Sequence, residues 1–589
     1  MKTKITFATL AFLSFAVTGT LRADPQLTSW FTTYSGRYAR IYTNAASATA
    51  GNAVTTWSNG SQTQALPAYN GVQEIDFSSN WIYVRSTGLA GYVMGPWSVG
   101  FPNLPSNQKS LFRIPRAPAA ATSTTLTGAG TIGVFVDGVA MFNSWDAFYW
   151  SGTANTSAMG PTGGYWNRDA FFNEGATFDP GNAHQQQGGT YHYHANPIAL
   201  RYLLGDHVNY NPVSNVYSES TAPIAKHSPI LAWVGDGYPL YGPYGYANAT
   251  NPASGLRRMI SGYVPRNGSN GTDNLNFNGA ARTYLPAWAL REYAAVGAQS
   301  GTTNGPAVST TYPFGTYMED YAYLGDLINP NTGQLYKLGT DFDLDEFNGR
   351  YCVTPEFPNG TNAYFVSIAS NGTPMYPYNI GNAYYGRVTG GSVTTISETV
   401  TTNYLGGANL APALKAPKIA NGTVTLTWSA TEGGTYLVAS TTNLSFWTTN
   451  ATNISAVLDA GGYTNASPEN QKFFRVARTA LATYDPVSGS AVISGGGTSV
   501  APGGSAMHGT TNTITITLPN NPPQPPAGNV PTSVTLAGNI IGTSIQKPSQ
   551  GTVIATFVIP ANAPTGAQNI VVTFNPAPTY TMVGAFTIN

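Results

Sequence analysis

Residues 188–197 read GGTYHYHANP, two tyrosines and two histidines in strict alternation between a glycine pair and a proline. A repeat of two is the period of a β-strand, where residues i and i+2 face the same side. Tyr191 and Tyr193 then point one way, and His192 and His194 the other. The chain has six histidines, and five of them lie between His184 and His227. Two imidazoles on one strand face can converge on one cation, with a third ligand supplied by another segment. His184, upstream across QQQGG, is the first candidate and His227 the second. Glu174 and Asp179 are near enough in sequence to complete the shell, or to orient an imidazole through its other nitrogen. Three histidines with one open position suit Zn²⁺ or Cu²⁺. Zinc would bring the pKa of a bound water to about 7 and permit hydrolysis; copper would permit redox chemistry or carriage. His207 reads as an ordinary loop residue, and His508 lies far away in the C-terminal region.

Working outward, the strand signal continues. SGRYARIYTN (35–44) and QEIDFSSNWIYVRSTGLAGYVMGPW (73–97) alternate apolar and polar residues between Gly, Asn and Ser turns. TGAGTIGVFVDGVAMFN (127–143) predicts two short strands around an Asp137-Gly138 turn. LPAWALREYAA (285–295) is the best helical segment. TGGSVTTISETVTTN (389–403) reads as a linker or a last strand. GTVTLTWSATEGGTYLVASTTNLSFWTTNATN (422–453) with QKFFRVAR (471–478) predicts a small β-sandwich in fibronectin style. A Gly/Ser break and PNNPPQPPAGNVP (519–531) interrupt a final β-module ending GTVIATFVIPANAPTGAQNIVVTFNP, which resembles bacterial Ig-like modules of the IPT type. The expected fold class is mainly β. The expected division is a signal peptide at 1–23, a histidine-bearing module at 24–375, a linker at 376–411, a fibronectin-III-like sandwich at 412–480 and an Ig-like sandwich at 481–589.

Composition excludes several functions. Lys+Arg and Asp+Glu stand at 26 each, and charged residues make up 9 %, against about 25 % in an average soluble chain. A balanced, sparse charge gives no basic face for nucleic acid. The start, MKTKITFATLAFLSFAVTGTLRAD, places Lys2 and Lys4 before an apolar run from Ile5 to Val17 and a small residue at Ala23, the form of a secretory signal peptide. The run is too short to span a bilayer, and no second long apolar segment follows. The expected location is therefore secreted, periplasmic or cell-surface, with no transmembrane segment. The single cysteine, Cys352, cannot form an intramolecular disulfide. The sequence carries no G-x-S-x-G elbow in a strand-to-helix context, no phosphate-cradling loop and no H-E-x-x-H. Asn-x-Ser/Thr triplets at Asn248, Asn267 and Asn421 are what Asn- and Thr-rich loops give by chance.

Two further motifs carry polar chemistry. HSPILAWVGDGYPLYGPYGY (227–246) places His227 before a buried apolar strand and an Asp236-Gly237 turn before Tyr238, Tyr241 and Tyr244. Asp236 and Tyr241 are candidates for the rim of the histidine site; the alternative is a rigid, tyrosine-lined loop. Arg257 and Arg258 suit either an anion or a carboxylate of the same module. DFDLDEFNGR (341–350) resembles the first half of a calcium loop through Asp341, Asp343, Asp345 and Asn348. The expected glycine is replaced by Glu346, and Cys352 stands where the bidentate glutamate would be. The alternative is an Asp-rich turn whose side chains cap local backbone, with Arg350 as ion-pair partner.

GTYHYHANP, HSPILAWVGDGYPLYGPYGY, SGLRRMISGY and DLDEFNGRYCVTPEFPNGTNAYF resemble, in this order, the YHYH-domain proteins, over roughly residues 85–370. IYVRSTGLAGYVMGPW (82–97) is similar to the N-terminal part of that family. The resemblance implies a secreted or envelope protein of bacteria and some eukaryotes, and assigns no reaction. Where such proteins often read DACNGH and DLDECNGR, this chain has DPGNAH and DLDEFNGR. A disulfide typical of relatives is thereby implied to be absent, leaving Cys352 unpaired. Three functional classes follow: metal binding by His184, His192 and His194 with His227; a metal-dependent hydrolase with Asp236 or Glu174 as base; and a non-enzymatic adhesion protein contacting an envelope or extracellular matrix through its C-terminal β-modules.

Overall fold

The computed structural model describes residues 24–589 except 60–61, 98–102, 159–162, 298, 467–471, 488–490, 493–504, 507–510, 519–524, 526–528, 538–539, 561–562, 576–577 and 589. The expected signal peptide and His508 lie outside the described residues. The protein is mainly β. No described helix is long and apolar enough to cross a membrane.

The histidine-bearing sheet has eight strands. From one edge they are Ala183–Gln185, Tyr191–Tyr193, Ala140–Met141, Gly133–Phe135, Ile230–Val234, Pro239–Tyr241, Thr361–Phe365 and Gly349–Cys352. Ile230–Val234 is apolar throughout and buried at every position, as a central strand covered on both faces requires. The two expected hairpin turns are present. Gly138 (φ 82°) joins the Gly133 and Ala140 strands, and Gly237 (φ 89°) joins Ile230–Val234 to Pro239–Tyr241. Both adopt the left-handed conformation that a glycine takes without steric cost.

A five-stranded sheet packs against this one through a shared apolar core that includes Val72, Ile75, Ile82, Val84, Phe112 and Ile114 on one side and Val134, Phe135, Leu231 and Trp233 on the other. Its central strands are Val72–Phe77, Trp81–Ser86 and Ser110–Pro115. Its two edges come from far downstream: Gly391–Ser392 pairs with Ser110–Pro115, and Thr401–Leu405 pairs with Val72–Phe77. The stretch expected as a linker or last strand thus contributes two short edge strands, and both fall within the span 376–411 expected as a linker. Its Thr- and Gly-rich text looked unstructured because edge strands with one exposed face need little apolar content.

A second, smaller core gathers Trp145, Trp150, Trp166, Tyr263, Trp288 and Tyr376 around the helix Ala287–Val296, the segment predicted helical. Glu292 of that helix is buried. Its Oε2 accepts from Asn382 Nδ2 at 2.7 Å, and its Oε1 has no hydrogen-bond partner. Burial, followed by repulsion from Glu346, pushes this carboxyl up from 4.5 to about 8. The folded protein therefore holds a proton that the unfolded chain releases at a lower pH. Stability from this group is complete below about 4.5 and is lost as pH rises toward about 8, at up to about 1.4 kcal/mol per pH unit. Urea unfolding of wild type and Glu292→Gln across that window should show the slope in wild type and a flatter one in the variant. Equal slopes would remove Glu292 as the cause.

Beyond residue 411 the chain forms two β-sandwiches. The first packs the sheet of Ala413–Leu414, Lys418–Ala420, Thr423–Ser429 and Ala460–Ala466 on that of Gly434–Thr441, Thr448–Ser455 and Phe473–Leu481. Its core is Val424, Leu426, Trp428, Tyr436 and Val438. The second closes a four-stranded and a five-stranded sheet over Ile514, Phe557, Ile570 and Phe586. The first sandwich is fixed to the N-terminal part. Glu432 takes an ion pair from Arg40 and the Tyr38 backbone N–H at 2.8 Å, and Arg37 pairs with Asp459 at 2.9 Å.

Candidate metal centre

The Tyr191–Tyr193 strand pairs antiparallel with Ala183–Gln185, and the register sets His184 directly opposite His192. Gly189 (φ 79°) closes the turn between them, donating its N–H to Gln186 O at 2.8 Å. On its other side the histidine strand runs parallel to Ala140–Met141. His194 follows two residues after His192 and faces the same way. The three rings meet: His184 and His192 centroids are 4.6 Å apart, His192 and His194 4.7 Å, and His184 and His194 5.6 Å. One ring nitrogen from each lies within 4.8 Å of the others, so the trio can hold a metal ion.

The hydrogen bonds fix which nitrogen faces inward. His192 Nδ1 lies 2.9 Å from Thr190 O, and His194 Nδ1 lies 2.6 Å from Asn143 O. A carbonyl only accepts, so both Nδ1 atoms carry the proton. Thr177 Oγ1 donates to Glu174 O at 2.6 Å, which leaves it to accept from His184 Nδ1 at 2.8 Å. The Nε2 atoms of His192 and His194 therefore present lone pairs. They stand 3.0 Å apart with no proton between them.

Protonation does not relieve this contact. The rings are 2–5 % exposed. Burial, with the neighbouring His194, holds His184 down at about 2, and burial holds His194 down at about 4. His192 is lowered too, by burial first and then by its two neighbours. The walls are aromatic. Phe142 stacks on His192 at 3.9 Å, and Phe178 lies parallel to His194 at 6.0 Å and edge-on to His184 at 4.8 Å. Imidazoles fixed by outer acceptors inside an apolar shell are the arrangement that orients ligands for a metal.

Glu174 belongs to this site. It ends the helix Ala170–Glu174, which Asp169 caps by accepting from Phe172 N at 2.9 Å. Its Oε2 lies 3.4 Å from His194 Nε2 and 3.6 Å from His184 Nε2. Burial, then Asp146, holds its carboxyl above the usual range.

The other expected residues lie elsewhere. His227 does not join the trio; its ring sits against Tyr241 and Tyr246, and its Nδ1 donates to Ser228 O at 2.7 Å. It precedes the Ile230 strand, on the far side of two intervening strands from Tyr191–Tyr193, an order that local sequence does not reveal. Asp179 is on the tyrosine side. It accepts from Tyr191 OH at 2.5 Å and from the N–H groups of Gly95 and Gly181 at 2.8 Å. There Tyr92 OH bridges Tyr191 OH and Tyr193 OH, each at 2.7 Å. Asp236 is not grouped with the trio: it caps its own turn by accepting from Tyr238 N at 3.1 Å, and it also accepts from Tyr364 OH at 2.6 Å and Gly386 N at 2.9 Å. Tyr241 binds Thr354 and Glu356, each at 2.9 Å.

The acidic loop takes its alternative reading. Asp341 accepts from Lys337 N at 2.8 Å, and Asp345 from Phe347 N and Gly349 N at 3.0 and 2.9 Å. Asp343 is held by Arg257 at 2.5 and 2.7 Å, and Asn348 donates to Phe365 O at 2.7 Å. Among the described residues the His, Cys, Asp and Glu side chains that group for a metal are the histidine trio, and the acids of this loop are not among them. Arg257 thereby pairs with a carboxylate of the module. Cys352 is buried and free. Thr177, Asn143, Phe142 and Phe178 were missed by sequence reasoning; only the adjacency of Phe178 and Thr177 to His184 offered a signal.

Comparison with known proteins gives one family. The family model described as YHYH protein matches residues 111–377, which contain the trio and Glu174. No curated protein matches the chain. Among solved structures, the crystal structure of Dpr2 Ig1-Ig2 in complex with DIP-Theta Ig1-Ig3 is similar at 12 % identity, covering 31 % of this chain and 99 % of that one, with a TM-score of 0.11. A likeness at that level carries no argument.

Proposed function

We propose that the chain is an exported protein whose YHYH-matching region binds one divalent transition metal ion, zinc or copper, through His184, His192 and His194. The observation that carries this reading is the 3.0 Å contact between two buried Nε2 atoms whose protons both sit on Nδ1. Two facing lone pairs repel, and burial disfavours the imidazolium that would bridge them. A shared cation turns the same contact into an attraction at metal–nitrogen distances of about 2.0–2.1 Å. The adhesion reading requires histidines packed for shape alone, and this contact weighs against it. Export rests on the charged and apolar pattern of residues 1–17, and the C-terminal sandwiches are read as fibronectin-like and Ig-like spacers or surface contacts.

The test is elemental analysis of protein purified without a histidine tag. Wild type should carry one zinc or copper ion per chain, and His192→Ala/His194→Ala should carry none. Equal metal content in the two would place the ion elsewhere.

A further inference from the structure

The free end of the first sandwich is built unlike its fixed end. Gly434–Thr441 leads away from the junction at Glu432 and carries Thr441 roughly 25 Å out, at about 3.3 Å per residue. Thr423–Ser429 leads back toward the junction, so the Lys418–Ala420 strand and the Asn421-Gly422 turn before it lie at the same free end. There the chain exposes Ile419 by 74 %, Leu444 by 58 % and Phe446 by 81 %. Local hydrogen bonds shape the turn that follows Thr441. Thr441 Oγ1 accepts from Asn443 N at 3.2 Å and Leu444 N at 3.1 Å, and Asn443 Oδ1 accepts from Ser445 N at 3.0 Å and Phe446 N at 3.1 Å. Leu444 takes a left-handed φ of 62°, uncommon for a residue with a side chain. The turn thus fixes two large apolar side chains in solvent.

Charge is segregated along the same axis. Among the described residues of 412–480 the carboxylates are Glu432 and Asp459, and both are engaged at the junction, by Arg40 and Arg37. Glu469 lies outside the described residues. The free end carries Lys418, Lys472 and Arg475, the last with its guanidinium 4.5 Å from the Trp447 ring centroid. We propose that this end is a membrane-docking surface whose partner is a bilayer with anionic headgroups. Three apolar side chains on two turns do not supply the ~800 Å² of close-packed contact per side that a stable protein interface buries. A bilayer interface takes such tips singly, with aromatic rings and Lys or Arg at headgroup level. The inference names the partner for the surface-contact reading of this sandwich and does not depend on the metal site.

Co-sedimentation of the full-length protein with vesicles tests this. Wild type should sediment with vesicles of equimolar phosphatidylcholine and phosphatidylglycerol, and less with phosphatidylcholine alone. Leu444→Ser/Phe446→Ser should bind the mixed vesicles at least about tenfold more weakly, with unchanged circular dichroism, and Phe446→Trp should bind as wild type does. Arg475→Gln should lose about fivefold on the mixed vesicles and little on the neutral ones. Wild type that sediments with neither vesicle, or a double serine variant that sediments as wild type does, overturns the proposal. Equal sedimentation of wild type with both vesicles overturns the anionic partner. The readout needs no metal, so it stands or falls apart from the trio.

Discussion

If the trio binds zinc as proposed, zinc added to the stripped protein at a thousandfold excess over its dissociation constant should stabilise the histidine-bearing module by about 4 kcal/mol. The thermal transition of that module moves upward, while a transition belonging to the last sandwich stays in place and serves as an internal control. In His192→Ala the shift disappears. The sign without metal is equally informative. The stripped site contains the 3.0 Å contact of two acceptors, so removing one of them relieves a repulsion. His192→Ala should therefore cost far less in the stripped protein than in the zinc-loaded one. A zinc shift that survives in His192→Ala/His194→Ala would show that the ion stabilises some other part of the chain.

The second large effect belongs to Arg282. Its guanidinium is fully buried and binds Asp320 through Nε and Nη2 at 2.7 and 2.8 Å. The remaining N–H groups reach Pro306 O at 2.8 Å, Pro313 O at 2.9 Å and Tyr312 O at 3.2 Å. One side chain thus ties the loop around residues 306–313 to Asp320, whose Oδ2 also accepts from Gly315 N at 2.9 Å. Arg282→Met leaves a buried carboxylate without its counter-charge, a loss of about 3–5 kcal/mol. Arg282→Met/Asp320→Asn should recover part of it, since the uncompensated charge is gone. Denaturant unfolding checks both; a loss below about 1 kcal/mol in the single variant would mean that water reaches Asp320.

What the sequence disclosed follows the range of the physics involved. His192 and His194 share a face because a strand alternates, and two residues suffice to see it. His184 was within reach because only a short turn separates it from its partner strand, so the antiparallel register nearly dictates the pairing. Glu174 was offered on proximity alone, and a short helix delivers it. His227 failed because its place depends on strand order across the sheet, which no local pattern encodes. The acidic loop was ambiguous for a different reason: Asp341 and Asp345 cap nearby N–H groups and Asp343 meets Arg257, and the same alternation of acids serves a turn as well as an ion. The β character and the single good helix were legible from periodicity. The fate of residues 391–405 was not, because their partners lie some three hundred positions earlier, as in the bond from Thr402 to Asp76.

That last pairing sets an order of events during synthesis. When the ribosome has finished residue 390, the five-stranded sheet has its three middle strands and neither border. Two rows of backbone N–H and C=O groups stay open until Gly391–Ser392 and Thr401–Leu405 emerge, and Glu432 must follow before Arg40 finds its counter-ion. So distant a closure makes the N-terminal part slow to complete. A nascent chain halted short of Thr401–Leu405 therefore carries a first layer with a border still open to pairing.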